Sequence, residues 1–213
     1  VVGEPIAGGA LEYDALFKVA QRMTTRPIKF GAITAQSLAK MLVNRHYAQD
    51  RDLILALAEV FNAELRKVAA AGCRVIQVEE PQHHIMGATG ASDKDLEFYT
   101  EAVNREIAGV ETEIWLHTCW GNPNQQPLHW ERPSYERSLP YLLETKADVI
   151  TLECASTNGR DLPAAGQAPH RQEDRHRRGE PLHRGGGAAG VRGRPHPAGP
   201  RARAAGAAHP VHR

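Results

Sequence analysis

The chain has 213 residues, 41% of them hydrophobic, which is enough for one substantial core, and it holds no run of about eighteen apolar residues that would cross a bilayer as a helix. The opening Val1-Val2-Gly3-Glu4-Pro5 lacks the charged-then-apolar layout of a secretory signal, and three cysteines are too few and too odd a set for a disulfide framework; both point to a cytoplasmic address with reduced thiols. The net charge of +1 conceals two unlike pieces: residues 159–213 carry eleven Arg against four acidic residues, whereas residues 1–158 carry fifteen basic and twenty-one acidic ones.

From residue 10 to residue 153 helix-like and strand-like segments alternate, the layout of βα units around a parallel sheet. The pattern predicts a helix over 10–23 and a short strand over 27–31. Residues 50–71 give the clearest helix, with Leu53, Leu57, Val60, Phe61, Leu65 and Val68 at three- and four-residue spacing and Gly72 placed to end it. Residues 73–79 read as a strand stopped by Pro81. Ser92 with Asp95 resembles a capping box opening a helix that ends at Ala108 before Gly109. A strand over 112–119, a helix over 133–145 and a strand over 147–153 complete about four strand-plus-helix units, too few to close an eight-stranded barrel of about 250 residues.

The segment from Gly159 onward is mostly Arg, Gly, Ala, Pro and His, with no Lys, Ile, Phe, Tyr, Trp, Met or Cys, and has almost nothing to bury. It reads as a disordered basic tail, as a nucleic-acid-binding arm of the arginine-glycine type, or as a GC-rich gene translated out of frame. The third reading is preferred, because codons for Gln172 to Pro181, advanced by one base, are compatible with Lys-Lys-Thr-Gly-Ile-Gly-Val-Val-Ser-His, a strand-like peptide. Nucleic acid is therefore not an expected partner.

Among chemistry-bearing residues, His117-Thr118-Cys119 is the sharpest signal. Side chains two apart on a strand point the same way, so an imidazole and a thiolate can converge on one metal ion. A His-x-Cys pair alone also arises by chance. Glu153 ends the following strand, and in parallel barrels the C-terminal strand ends share one face, so its carboxylate could reach the same ion or simply meet solvent. Glu79-Glu80 also ends a strand and could hold a cationic substrate group or transfer a proton, although paired acids commonly serve only solubility. His83 and His84 could be extra ligands but read first as ordinary loop histidines, and Cys73 reads as a packing residue at the far end of its strand.

In order and spacing, Gly31-Ala32-Ile33-Thr34, Ala71 through Pro81, Trp115 through Cys119 and Ala147 through Glu153 together resemble the catalytic domain of the cobalamin-independent methionine synthase family, over about residues 10–158. The resemblance implies an α/β fold, a partial (β/α)8 TIM barrel over 1–158 followed by the disordered, out-of-frame tail 159–213. It implies a Zn2+ cofactor held by His117, Cys119 and Glu153, with the family's later Cys and an active-site His lacking counterparts here. It further implies substrate binding by Glu79 and Thr34, catalytic roles for Glu79 and Glu80, and methyl transfer to a small-molecule thiol, homocysteine or similar, from a methyl or alkyl donor.

In that chemistry the metal ionises a thiol, because the thiolate is the nucleophile. Two departures stand inside the match. Ala32 replaces a Pro, and Glu79 replaces the Asp that holds the amino group of homocysteine, which leaves open an epoxyalkane–coenzyme M transferase-like alkyltransferase. A non-catalytic binding module of the same fold is the other alternative.

Overall fold

A computed structural model describes residues 1–9, 11–120, 134–154 and 159–161. Four strands, β1 (Lys29–Ile33), β2 (Val75–Glu79), β3 (Glu113–Thr118) and β4 (Val149–Leu152), lie side by side in chain order and all pair in parallel. Parallel neighbours need a crossover, and helices supply it here: α1 (Tyr13–Arg22) precedes β1, α2 (Ala35–Ala39) and α3 (Asp50–Ala70) follow it, α4 (Gln82–Ala88) and α5 (Asp93–Glu106) follow β2, and α6 (Leu139–Leu143) precedes β4. The expected α/β architecture of about four strand-plus-helix units is present. The tail beyond residue 161 lies outside the described residues.

The strands bury one face and leave the other open. Ile76, Val78, Ile114 and Leu116 have almost no exposed surface and pack with Phe17 of α1, Leu65 and Val68 of α3, and Val103 of α5. Each such side chain contributes about 1.5–3 kcal/mol by leaving water. Alternation turns Lys29, Gln77, Glu79, Trp115 and His117 to the opposite face, where all keep contact with solvent. A second cluster, built on Leu53, Leu57, Phe61, Leu96 and Tyr99, joins α3 to α5.

Local chemistry fixes the element ends. Gly72 takes φ +94° after α3, where Gly72 N–H and Cys73 N–H bond back to the carbonyls of Ala69 and Val68. Ser92 and Asp95 form the reciprocal capping box that opens α5. The strand expected from Cys73 begins at Val75, because Cys73 is still leaving that turn and its thiol donates to the Val75 carbonyl. The long helix expected over 133–145 contracts to five residues after a turn at 136–138. Two helices had no strong sequence signal: α2, capped by the Thr34 hydroxyl, and α4, which occupies the presumed loop after Pro81. Among the described residues no helix is long and apolar enough to cross a membrane.

Candidate active site at the strand ends

The pairing register sets Ile33, Glu79, His117 and Thr151 on one rung across all four strands, so Glu79, His117 and Thr151 share a face at the C-terminal edge. The Thr151 hydroxyl lies 3.1 Å from His117 Nδ1 and 3.3 Å from the Leu116 carbonyl. That contact orients the ring and turns Nε2 outward. That nitrogen lies 3.6 Å from Glu79 Oε2. Gln77 Nε2 donates to the other Glu79 oxygen at 2.5 Å, and Lys29, lying 4.5 Å over the Trp115 ring, donates to Gln77.

The neighbouring carboxylate has a different setting. Glu80 is fully buried: its Oε1 accepts from the backbone N–H groups of Gln82 and His83, each at 2.9 Å, and its Oε2 lies 2.5 Å from the Thr34 hydroxyl. Burial pushes its carboxyl up to about 7, against the opposing bonds from Thr34, Gln36 and the two N–H groups. Glu80 and Thr34 are thus turned away from the solvent face expected of a proton-transfer or substrate-contacting group. They join the ends of β1 and β2 to the start of α4, and adjacent strand positions pointing oppositely is the reason Glu79 and Glu80 part company.

Cys119 and Glu153 come directly after β3 and β4, and Glu153 N–H extends the ladder to the Thr118 carbonyl at 3.0 Å. Both side chains are partly exposed. Imidazole nitrogen, thiolate and carboxylate form a donor set of the kind zinc takes. Among the described residues, no group of three or more His, Cys, Asp or Glu side chains is gathered as a metal cluster, so the expected trio shares a sheet edge without converging on one point. Cys73 is buried in the core at the opposite end of β2, as its sequence position implied.

Several residues near the site carried no clear sequence signal. His83 and His84 are fully buried in α4 instead of standing in a loop, and desolvation lowers them to about 4 and about 3, so both are neutral. A carbonyl can only accept, so His84 must donate through Nε2 to the Cys119 carbonyl, 2.9 Å away. Tyr135, also buried, sets its hydroxyl 3.3 Å from the Thr118 carbonyl and 3.1 Å from that of Glu153. Burial raises the phenol above its usual range, which keeps it a donor. The Asp161 side chain accepts from Tyr135 N–H and the Ser134 hydroxyl.

Parallel strands in chain order with interleaved helices, and polar side chains gathered at the C-terminal edge, define the class of (β/α)-barrel enzyme domains. The chain belongs to the family described as cobalamin-independent synthase, catalytic domain, whose profile matches residues 1–171. It is similar to methionine synthase of Sulfurisphaera tokodaii, 29% identical over 134 residues that cover 63% of this chain and 34% of that protein. The methionine synthase of Saccharolobus solfataricus is 28% identical over 138 residues, covering 65% and 36%. Among solved structures, the B12-independent methionine synthase of Shewanella sp. W3-18-1 in complex with selenomethionine superposes with a TM-score of 0.60 at 25% identity, covering 71% of this chain and 45% of that one. The chain spans about a third of the length of the curated relatives it matches.

Proposed function

We propose that this chain is part of the catalytic domain of a thiol methyltransferase of the methionine synthase type, acting on homocysteine or a similar amino thiol with a methyl donor as co-substrate. His117, Cys119 and Glu153 would hold Zn2+, which when bound lowers the pKa of a substrate thiol. The observation that carries the reading is the shared strand-end edge: Glu79, His117 and Thr151 stand on one rung, Cys119 and Glu153 follow β3 and β4 directly, and Thr151 holds the His117 ring at Nδ1. Glu79 supplies a partly exposed carboxylate beside it, suited to accept the ammonium of an amino-acid substrate, with Gln77 fixing one of its oxygens. Ile76, Val78, Ile114 and Leu116 pack the opposite face of the sheet against the helices and so hold the strands that carry Glu79 and His117 rigid.

The test is cobalt(II) titration of the purified chain, followed by the thiolate-to-metal charge-transfer band. One equivalent is expected to bind with that band, Cys119→Ser should abolish the band, and His117→Ala should weaken binding by about tenfold or more. A chain that takes up no metal, or a band that survives in Cys119→Ser, would refute the proposal.

A further inference from the structure

We propose that the outer face of α1 is an interface between two copies of this chain, their α1 helices packed antiparallel about a twofold axis, and this holds whether or not the chain binds zinc. Helix α1 is apolar on two sides. Inward, Phe17 is buried in the core and the Tyr13 ring stands 5.3 Å from that of Phe30, which fixes the helix against β1. Outward, Leu16, Val19 and Met23 follow at i, i+3 and i+7 and are 59%, 57% and 83% exposed, with Leu11 before them at 38%. A surface helix ordinarily turns charge to solvent, and this spacing is the seam by which one helix takes up another. Among the described residues seven large apolar side chains are exposed, and four of them fall within residues 11–23. Exposure gathered in this way marks an interaction face, whereas single exposed side chains need no explanation.

Charge and size identify the occupant as a second copy. Glu12 stands at the start of the stripe and Arg22 at its end, and among the described residues neither is in an ion pair. Two α1 helices running oppositely set Leu16 beside Val19 of the other copy and bring Glu12 of each against Arg22 of the other. One twofold axis thus satisfies both ends, whereas parallel copies would set Glu12 on Glu12 and Arg22 on Arg22. Ala15 and Ala20 flank the stripe with only a methyl group each, and a depression of about 300 Å³ lined by residues 11–23 alone gives the facing side chains room. A helix of ten residues offers less than the about 1,200–2,000 Å² that stable complexes bury, so the dimer is weak, with a dissociation constant above about 1 μM.

The experiment is sedimentation velocity on the full chain from about 5 to about 500 μM. The expected result is a discrete species of twice the chain mass that grows with concentration, is lost in Leu16→Lys and persists in Val149→Lys, which alters the strand at the opposite edge of the sheet. Leu16 is exposed, so its replacement leaves the core intact, and an unchanged melting midpoint verifies this. Where the midpoint falls, Val19→Lys decides with the same outcomes. Glu12→Arg alone is expected to weaken the dimer by about threefold or more, because two like-charged contacts replace two opposite ones, and Glu12→Arg with Arg22→Glu in one chain is expected to restore it. A chain that stays monomeric across the range, leaving the stripe to a partner of different sequence, overturns the proposal. So does a dimer that survives Leu16→Lys, is indifferent to Glu12→Arg, or is not repaired by the double reversal.

Discussion

Glu80 shows how one residue's environment sets a measurable pH dependence. Its carboxyl rises from 4.5 to about 7 because burial penalises the charged form more than the bonds from Thr34 and the α4 backbone favour it. A group whose folded pKa is raised stabilises the fold fully below its unfolded value, and that contribution is lost as pH climbs through about 7. Buried Glu106, raised by the same desolvation and by the charge of Glu80, acts in the same direction. His83 and His84 act oppositely: they are lowered, so their contribution is complete above 6.5 and lost as pH falls toward about 4 and about 3. Glu80→Gln retains an acceptor for the Gln82 and His83 N–H groups, removes the first effect and takes away the Glu80 charge that adds to the second. Its stability relative to the parent is expected to rise by about 2 to 3 kcal/mol between pH 4.5 and 8, read by urea unfolding at each pH. A pH-independent difference would place the charge elsewhere.

At the scale of elements, α4 is the piece whose packing most constrains the site, because its first turn carries Glu80's two N–H donors and His84. Its Gly87 faces Ser138, and a Cβ there would stand 2.1 Å from Ser138 Oγ. Ser138 is fully buried and cannot swing into solvent. Gly87→Ala should therefore cost about 1–3 kcal/mol and loosen His84 from the Cys119 carbonyl, measured by chemical denaturation and by the histidine ring resonances in NMR. The strands, α3 and the Ser92 cap were legible in the sequence because their signals are local: alternation, three- and four-residue spacing, and a side chain that satisfies a backbone three residues away. The Glu79, His117 and Thr151 rung was half legible, since strand-end position is local but register is not. α4 and Tyr135 were not legible. Helix α4 is seven residues long with two histidines inward, whose partners Thr100 and Cys119 lie 17 and 35 positions away, so no short-range pattern marks it.

For the whole molecule, the most informative residue is Asp161. It lies past the compositional join at 158, yet its side chain is 4% exposed and bonded to Ser134 and Tyr135, and the family match runs on to residue 171. We propose that the barrel's own reading frame continues through codon 161 and that a one-base shift follows it. Genomic sequence across codons 155–185 checks this: the expected reading resumes in the next frame, and an undisturbed frame rejects it. The outermost described strand, β4, has a further effect on handling. Val149, Ile150, Thr151 and Leu152 are uncharged and mostly β-branched, whereas β1 on the opposite side carries Lys29. Strands of this composition recruit passing chains through their sideways amide groups, and a cationic side chain deters that recruitment. Light scattering should climb with protein concentration at fixed temperature and subside in Val149→Lys, so dilution, more than cooling, is what would keep the chain monodisperse.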